Sequence, residues 1–172
     1  MNCPLKKDTR QELELLREAK HKLVMITGDN VLTAAHVAKA VDLNRPPGGE
    51  PRSNALFLHV ADGGYEWLDY DENLVSRASK PAELDALAGE NMLCAEGPQL
   101  DGVKDEAAAR ELFWRITVFA RTSPEQKDAI VQRFNERGCV TLMCGDGTND
   151  VGSLKRASVG MALVNRPEAE EK

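Results

Sequence analysis

Residues 23 to 30 read Leu-Val-Met-Ile-Thr-Gly-Asp-Asn. The start of this stretch is a short, mostly apolar run, which is typical of a β-strand buried on both faces. Gly28 and the two polar residues after it interrupt the run. Apolar residues then recur at helical spacing from Val31 to Val41. A strand, a turn and a helix in this order make half of a β-α-β unit, so the stretch predicts an α/β fold.

Strands and helices alternate again in the C-terminal half. Further helices are predicted at 8–20, 104–114 and 124–137, and a short helix after residue 150 is predicted to end at about residue 157. Further strands are predicted at 116–120, 139–144 and 159–163. Apolar strands that alternate with helices favour a three-layer, Rossmann-like parallel sheet. We therefore predict one domain over residues 1–164, followed by a charged tail over residues 165–172.

Residues 44–102 are interpreted as an insertion within that domain. Residues 56–60 and 65–70 flank Asp62-Gly63-Gly64, which predicts a β-hairpin. A helix that begins with a proline is predicted at 81–90, and a short strand at 91–96. The insertion carries no motif that we can connect to chemistry.

The composition excludes several classes of partner. The 172 residues are 42% hydrophobic and 29% charged, with a net charge of −6 and a pI near 5.2. This balance argues against nucleic acid or an anionic membrane surface as the main partner. No apolar run approaches the ~20 residues that cross a bilayer, so any membrane role is expected to come from other sequence. Cys139 and Cys144 flank an apolar run and are expected to be small buried hydrophobic residues.

The first candidate site motif is Thr27-Gly28-Asp29-Asn30. It follows a predicted strand and precedes a predicted helix, where a hydroxyl and backbone N–H groups can bind a phosphate. The alternative is a plain turn that caps the helix.

The second candidate is Lys127, in the helix that Ser123 caps and Pro124 begins. One turn into such a helix, a lysine can reach the strand ends and neutralise a phosphoryl group. The alternative is a solvated lysine on the helix surface.

The third and most specific motif is Gly145-Asp146-Gly147-Thr148-Asn149-Asp150. Its glycines let the backbone turn sharply and expose the carboxylate of Asp146. A second carboxylate at Asp150, with an amide between them, suits Mg²⁺ held together with a phosphate. A simple turn remains the alternative. Together the three motifs supply what phosphoryl transfer needs, except a nucleophile.

These motifs, in this order, resemble the signatures of the P-type ATPases, whose phosphorylation domain has a haloacid-dehalogenase-like fold. The resemblance covers residues 3–43 and 112–163. Gly152, together with Cys3-Pro4-Leu5-Lys6, resembles the type V group. Val151 and the insertion resemble its subfamily A, the endoplasmic-reticulum enzymes proposed to extract misplaced transmembrane helices.

The resemblance implies a role for each matching residue. Asp146 would ligate Mg²⁺, and Asp150 would support that metal site. Asn149 and Thr27 would hydrogen-bond the phosphoryl oxygens, while Lys127 would offset their charge.

The resemblance also implies contacts beyond the phosphoryl group. Gly28 and Asp29 would lie near the phosphates of ATP. Lys155 matches a family position without a clear role. The full-length relative would act at the cytosolic face of the endoplasmic reticulum membrane.

The family's nucleophile, the aspartate of an Asp-Lys-Thr-Gly-Thr motif, does not occur in the 172 residues. The chain alone is therefore expected to be inactive. Its expected partners are the missing N-terminal part of the phosphorylation domain and the nucleotide-binding and actuator domains. In the related fold the nucleophile strand lies between the strands that end at Thr27 and Cys144. Its absence predicts a rearranged sheet, a marginally stable domain or a partner that supplies the strand.

Two other functions remain open at this point. A stand-alone phosphatase or receiver-like domain would use Asp29 as the phosphate acceptor. A non-catalytic interaction module would use the hairpin aromatics Tyr65, Trp67 and Tyr70 as its contact surface.

Overall fold

The computed structural model describes residues 5–46, 49–52, 54–61 and 64–163. The chain forms two compact units, Met1–Thr122 and Ser123–Lys172. The predicted insertion lies within the first unit, and the predicted tail lies outside the described residues. No helix in the described part of the chain is both long and apolar enough to span a bilayer.

The first unit contains both helices and strands. In chain order they are α1 (Thr9–Glu18), β1 (Met25–Ile26), α2 (Val31–Ala40), β2 (Asn54–Ala61), β3 (Gly64–Leu68), β4 (Leu74–Ser76), α3 (Pro81–Glu90), β5 (Asn91–Glu96), α4 (Gly97–Asp101), α5 (Glu106–Arg115) and β6 (Val118–Ala120). The predicted hairpin, the helix at 81–90 and the strand at 91–96 are confirmed. Strand β4 and helix α4 were not predicted.

The strands of this unit form one six-stranded sheet with the order β1-β6-β5-β2-β3-β4. Strands β1, β6, β5 and β2 are parallel, whereas β3 and β4 are antiparallel to their neighbours. The prediction of a parallel sheet is therefore correct for β1, β6, β5 and β2 and wrong for β3 and β4. Residues 54–57 of β2 pair with residues 91–94 of β5, so the hairpin continues the main sheet and makes it mixed.

Helices cover both faces of this sheet. Met92 and Cys94 of β5 belong to the same buried cluster as Ala35 of α2. Neighbouring residues of a strand point to opposite faces. The neighbours of Phe119 in β6 belong to that cluster, so Phe119 itself points to the opposite face of the sheet. On that face its ring lies 5.6 Å from the ring of Phe113 in α5. The first unit is accordingly a three-layer α/β structure.

The second unit is smaller. It contains α6 (Pro124–Glu136), β7 (Leu142–Gly145), a 3-10 turn (Thr148–Asp150), α7 (Val151–Arg156) and β8 (Val159–Ala162), and its two strands pair in parallel. Ser123 and Gln126 form a capping box at the start of α6, which confirms the predicted cap. Gly138, with a φ of 85°, follows the helix end, where a left-handed residue is common.

One face of the β7–β8 sheet is apolar and exposed. The thiol of Cys144 lies 3.9 Å from the sulfur of Met161 on this face. Cys144 is exposed, so the prediction of a buried cysteine is wrong at this position because no described residue covers the strand there. The exposed hydrophobic residues of this region are Val140, Leu142, Val159, Met161 and Leu163.

The strands predicted to flank the missing nucleophile strand belong to different sheets. Strand β1 is the end of the six-stranded sheet, and β7 is bonded only to β8. Within the described residues, each therefore keeps one strand edge without a hydrogen-bonded neighbour. Unpaired edges of this kind can accept a further strand.

The position of β5 in the core gives a stability prediction. Leu93 is fully buried, so Leu93→Ala should lower the free energy of unfolding by about 2–5 kcal/mol through lost packing and a cavity. Urea denaturation measures the loss. Leu74→Ala on β4, where the side chain is 45% exposed, is the matched control and should have a much smaller effect. Equal losses would contradict the placement of β5 in the core.

Candidate functional site

The turn after β1 is fixed by hydrogen bonds. The hydroxyl oxygen of Thr27 accepts the N–H of Asp29 at 3.1 Å. The carbonyl of Thr27 accepts both the N–H of Thr122, at 3.1 Å, and its hydroxyl, at 2.9 Å. This turn is therefore tied to the end of β6. In the part of the chain that the structure describes, the hydroxyl hydrogen of Thr27 has no acceptor.

The rest of this motif has a local explanation. Asn30 caps α2 by accepting the N–H of Leu32 at 2.9 Å. A Cβ at Gly28 would meet no atom within 4 Å, so the fold does not require a glycine there. The side chain of Asp29 is exposed.

Arg121, which begins the stretch that leads to Lys127 and to which the sequence assigned no role, lies beside this turn. Its N–H donates to the carbonyl of Asp29 at 2.9 Å, and its backbone adopts a φ of 48°. Such a conformation is uncommon for a residue with a side chain. Nothing in the local sequence indicates it, because arginine has no preference for left-handed backbone.

In the second unit, Lys127 and Asp150 form a buried ion pair. The ammonium of Lys127 donates to Oδ1 of Asp150 at 2.7 Å, and the two side chains are only 6% and 7% exposed. The other oxygen, Oδ2, accepts the N–H of Gly147 at 3.3 Å. Ser153 donates its hydroxyl to the carbonyl of Asp150 at 2.9 Å. The alternative of a solvated Lys127 is therefore wrong, since Asp150 holds this lysine in the interior.

The surroundings of Asp150 favour its charged form. Burial raises the pKa of the carboxyl group, but the hydrogen bond and charge of Lys127 and the N–H of Gly147 outweigh it. The pKa of Asp150 consequently lies below the usual value for an aspartate.

The glycines of the motif are needed for space. A Cβ at Gly145 would lie 2.6 Å from Cβ and 2.8 Å from Oδ2 of Asp150, and a Cβ at Gly147 would overlap Oδ1 of Asn149. The φ of Gly147 is −115°, which residues with side chains also adopt. The close approach of Asp150 and Asn149 therefore explains these glycines better than a special backbone conformation does.

Asp146 and Asn149 are exposed at the tip of the same loop. Among the described residues no group of three His, Cys, Asp or Glu side chains could hold a metal ion. Mg²⁺, however, is commonly bound by one or two carboxylates together with phosphate oxygens and water. The carboxylate of Asp146, which has no partner within the described ranges, fits such a site. Both oxygens of Asp150 already accept hydrogen bonds, so its predicted role as a metal ligand stays a prediction.

The predicted site residues fall into two groups. Lys127, Asn149, Asp146 and Asp150 belong to the second unit, together with Lys155, which is exposed on α7. Thr27, Gly28 and Asp29 belong to the first unit.

The hairpin aromatics have different surroundings. Trp67 is fully buried and donates its indole N–H to the carbonyl of Ala78 at 3.0 Å, so it is part of the core. Tyr70 is 44% exposed and its ring lies 5.1 Å from that of Phe57 in an edge-to-face contact. The surface proposed for an interaction module therefore lacks its largest aromatic side chain.

Comparison with known proteins gives several relatives. A probable manganese-transporting ATPase of Arabidopsis thaliana is 40% identical over 95% of the chain. Endoplasmic reticulum transmembrane helix translocases of Schizosaccharomyces pombe and Saccharomyces cerevisiae are 37% and 38% identical over 97% of it. The chain spans only 13% to 14% of the length of these relatives. No protein-family model matches the chain.

The space required at Gly145 gives a prediction for the loop. Gly145→Ala should destabilise the second unit by about 1–3 kcal/mol, because the added Cβ overlaps Asp150. Gly152→Ala in α7 is the matched control, since its Cβ would make only an ordinary contact, 3.7 Å from Cβ of Asp128. Thermal or urea denaturation measures both. A Gly145→Ala protein as stable as the wild type would contradict the close packing of this loop.

The depressed pKa of Asp150 predicts acid sensitivity. Its contribution to stability should be complete above the pKa of an unpaired aspartate, about 3.9, and should be lost as the pH falls through the lower folded-state value. The measurement is urea denaturation from about pH 2 to about pH 6 for the wild type and Asp150→Asn. The stability difference between them should shrink towards low pH. A difference independent of pH would contradict the ion pair.

Proposed function

The chain is homologous over nearly its whole length to a segment of the type V P-type ATPases, and on that premise we propose that it carries a phosphoryl-binding half-site of their phosphorylation domain. One observation carries the proposal. Lys127 is held by a buried ion pair with Asp150, below a loop that exposes the carboxylate of Asp146. A cation and a free carboxylate in one small unit are what a bound phosphate and its metal ion require.

The polar groups have separate tasks in this proposal. A lysine ammonium has three N–H donors, and Asp150 accepts one of those of Lys127. The remaining donors would offset the charge of a phosphoryl group. The amide of Asn149 and the hydroxyl of Thr27 would donate to its oxygens, and Asp29 with Gly28 would lie near the nucleotide phosphates.

Asp146 would hold Mg²⁺, which neutralises phosphoryl oxygens when it is bound with the phosphate. Asp150 would support this site by keeping the loop and Lys127 in place, because both of its own oxygens already accept hydrogen bonds.

The phosphorylated aspartate would come from outside these 172 residues, and the chain alone would have no turnover. The N-terminal part of the phosphorylation domain would supply a further strand, and the unpaired edges of β1 and of β7 are each a place where a strand can pair. The nucleotide-binding and actuator domains would be further partners, and ATP would be the phosphoryl donor.

The names of the relatives suggest the biological role. Two of them are endoplasmic reticulum transmembrane helix translocases, and one is a probable manganese-transporting ATPase. The full-length protein would couple ATP hydrolysis to helix extraction or transport, with this segment at the cytosolic face of the endoplasmic reticulum membrane.

Calorimetry tests the half-site directly. Mg²⁺ is titrated into the folded chain in the presence of orthovanadate, a phosphate analogue. We expect binding by the wild type and none by Asp146→Asn, because the substitution removes the free carboxylate. Asp71→Asn, which changes an exposed aspartate of the first unit, is the matched control and should bind as the wild type does. Absence of binding by a folded wild type would contradict the proposal.

A further inference from the structure

Two ion pairs join the same two helices of the second unit. Besides Lys127–Asp150, Asp128 and Arg156 form a forked contact. Nε of Arg156 donates to Oδ1 of Asp128 and Nη2 donates to Oδ2, both at 3.0 Å. We call the Asp128–Arg156 contact the brace. No motif in the sequence indicates it, since its members are 28 residues apart.

The two ion pairs use residues from the two ends of α7 and meet α6 at adjacent positions. Lys127 and Asp128 are consecutive residues of α6, while Asp150 directly precedes α7 and Arg156 is its last residue. A helix of six residues is roughly 9 Å long. One ion pair at a single end would leave α7 free to pivot about that contact. The second pair starts from the other end of α7 and ends beside the first on α6, so the two together restrict the direction of α7.

Other contacts show that the two helices meet closely at this point. A Cβ at Gly152, the second residue of α7, would lie 3.7 Å from Cβ of Asp128. Asn135 of α6 donates its amide N–H to the carbonyl of Arg156 at 2.9 Å. The last turn of α7 is therefore held through both its side chain and its backbone.

The exposure of the brace separates its role from that of the buried pair. The side chains of Arg156 and Asp128 are 47% and 27% exposed. Ion pairs near the surface contribute little to stability, although a forked arginine–carboxylate contact has a defined geometry. The brace is thus better suited to orienting α7 than to stabilising the unit.

We propose that Asp128 and Arg156 are positioning residues that keep Asp150 within hydrogen-bonding distance of Lys127. Asp150 lies at the start of α7, so a change in the direction of this helix alters its distance from the ammonium. The brace acts on the phosphoryl-binding half-site through this pair and contacts no ligand itself. Its catalytic significance rests on the proposed function, whereas its effect on the ion pair does not.

The state of the Lys127 ammonium tests the brace without any ligand. A buried, hydrogen-bonded ammonium exchanges its hydrogens slowly with water, so ¹H–¹⁵N NMR should detect it in the wild type. We expect its signal to be lost in Asp128→Asn and in Arg156→Gln, and to return in the chain with both Asp128→Arg and Arg156→Asp. Arg77→Gln removes an ion pair of the first unit, in which Nε and Nη2 of Arg77 both donate to Oε1 of Glu66. It is the matched control and should leave the signal unchanged.

If the brace does not position Lys127, the NMR signal of the ammonium will respond differently to these substitutions. An unchanged Lys127 signal in folded single variants would overturn the proposal, as would a lost signal that the exchanged pair fails to restore. Arg156→Lys keeps the charge but cannot form the forked contact. This variant replaces the others in the NMR test if they do not fold. Loss of the signal in this folded variant supports the brace, and retention contradicts it.

The titration of Mg²⁺ with orthovanadate connects the brace to function. Weaker binding in Asp128→Asn, restored in the exchanged pair, is the expected result. Unchanged binding in Asp128→Asn would overturn the functional part of the proposal. If the wild type itself does not bind, the half-site fails, while the NMR experiment still decides whether the brace positions Lys127.

Discussion

The buried ion pair between Lys127 and Asp150 is the interaction on which the geometry of the second unit depends. Both side chains are more than nine-tenths buried, and the loss of either partner would leave a charge in surroundings that solvate it poorly. The pair therefore fixes the start of α6 against the turn before α7. The end of β7 must then pass close to Asp150. This leaves no room for a side chain at Gly145, the last residue of that strand.

This constraint gives two carboxylates of one loop different properties. Asp150 points into the unit, accepts hydrogen bonds with both oxygens and has a depressed pKa. Asp146, four residues earlier, is exposed, and its carboxylate has no partner among the described residues. One carboxylate thus organises the structure, while the other remains available for a ligand. In the proposed function, the segment would keep one half of a phosphoryl-binding site although it contains no Asp-Lys-Thr-Gly-Thr motif.

Local signals predicted many elements correctly. Helix α3 begins at Pro81, and β5 follows it over the predicted residues, because proline placement and an apolar run act within a few residues. The pairing of β5 was not predictable in the same way. An apolar strand does not specify its neighbours, so a stretch interpreted as an insertion proved to share the main sheet and core. Strand β4 and helix α4 are too short to show a clear periodicity.

The sequence by itself determined the α/β class, the capped helix that carries Lys127, and the order of motifs that resembles the P-type ATPases. Those features depend on residues that are close together in the chain. Only the tertiary structure decided that Asp150, rather than solvent, is the partner of Lys127, and that Asp146 stays exposed. The physical reason is that burial and charge pairing depend on side chains 23 residues apart, whose distance is set by how α6 and α7 pack.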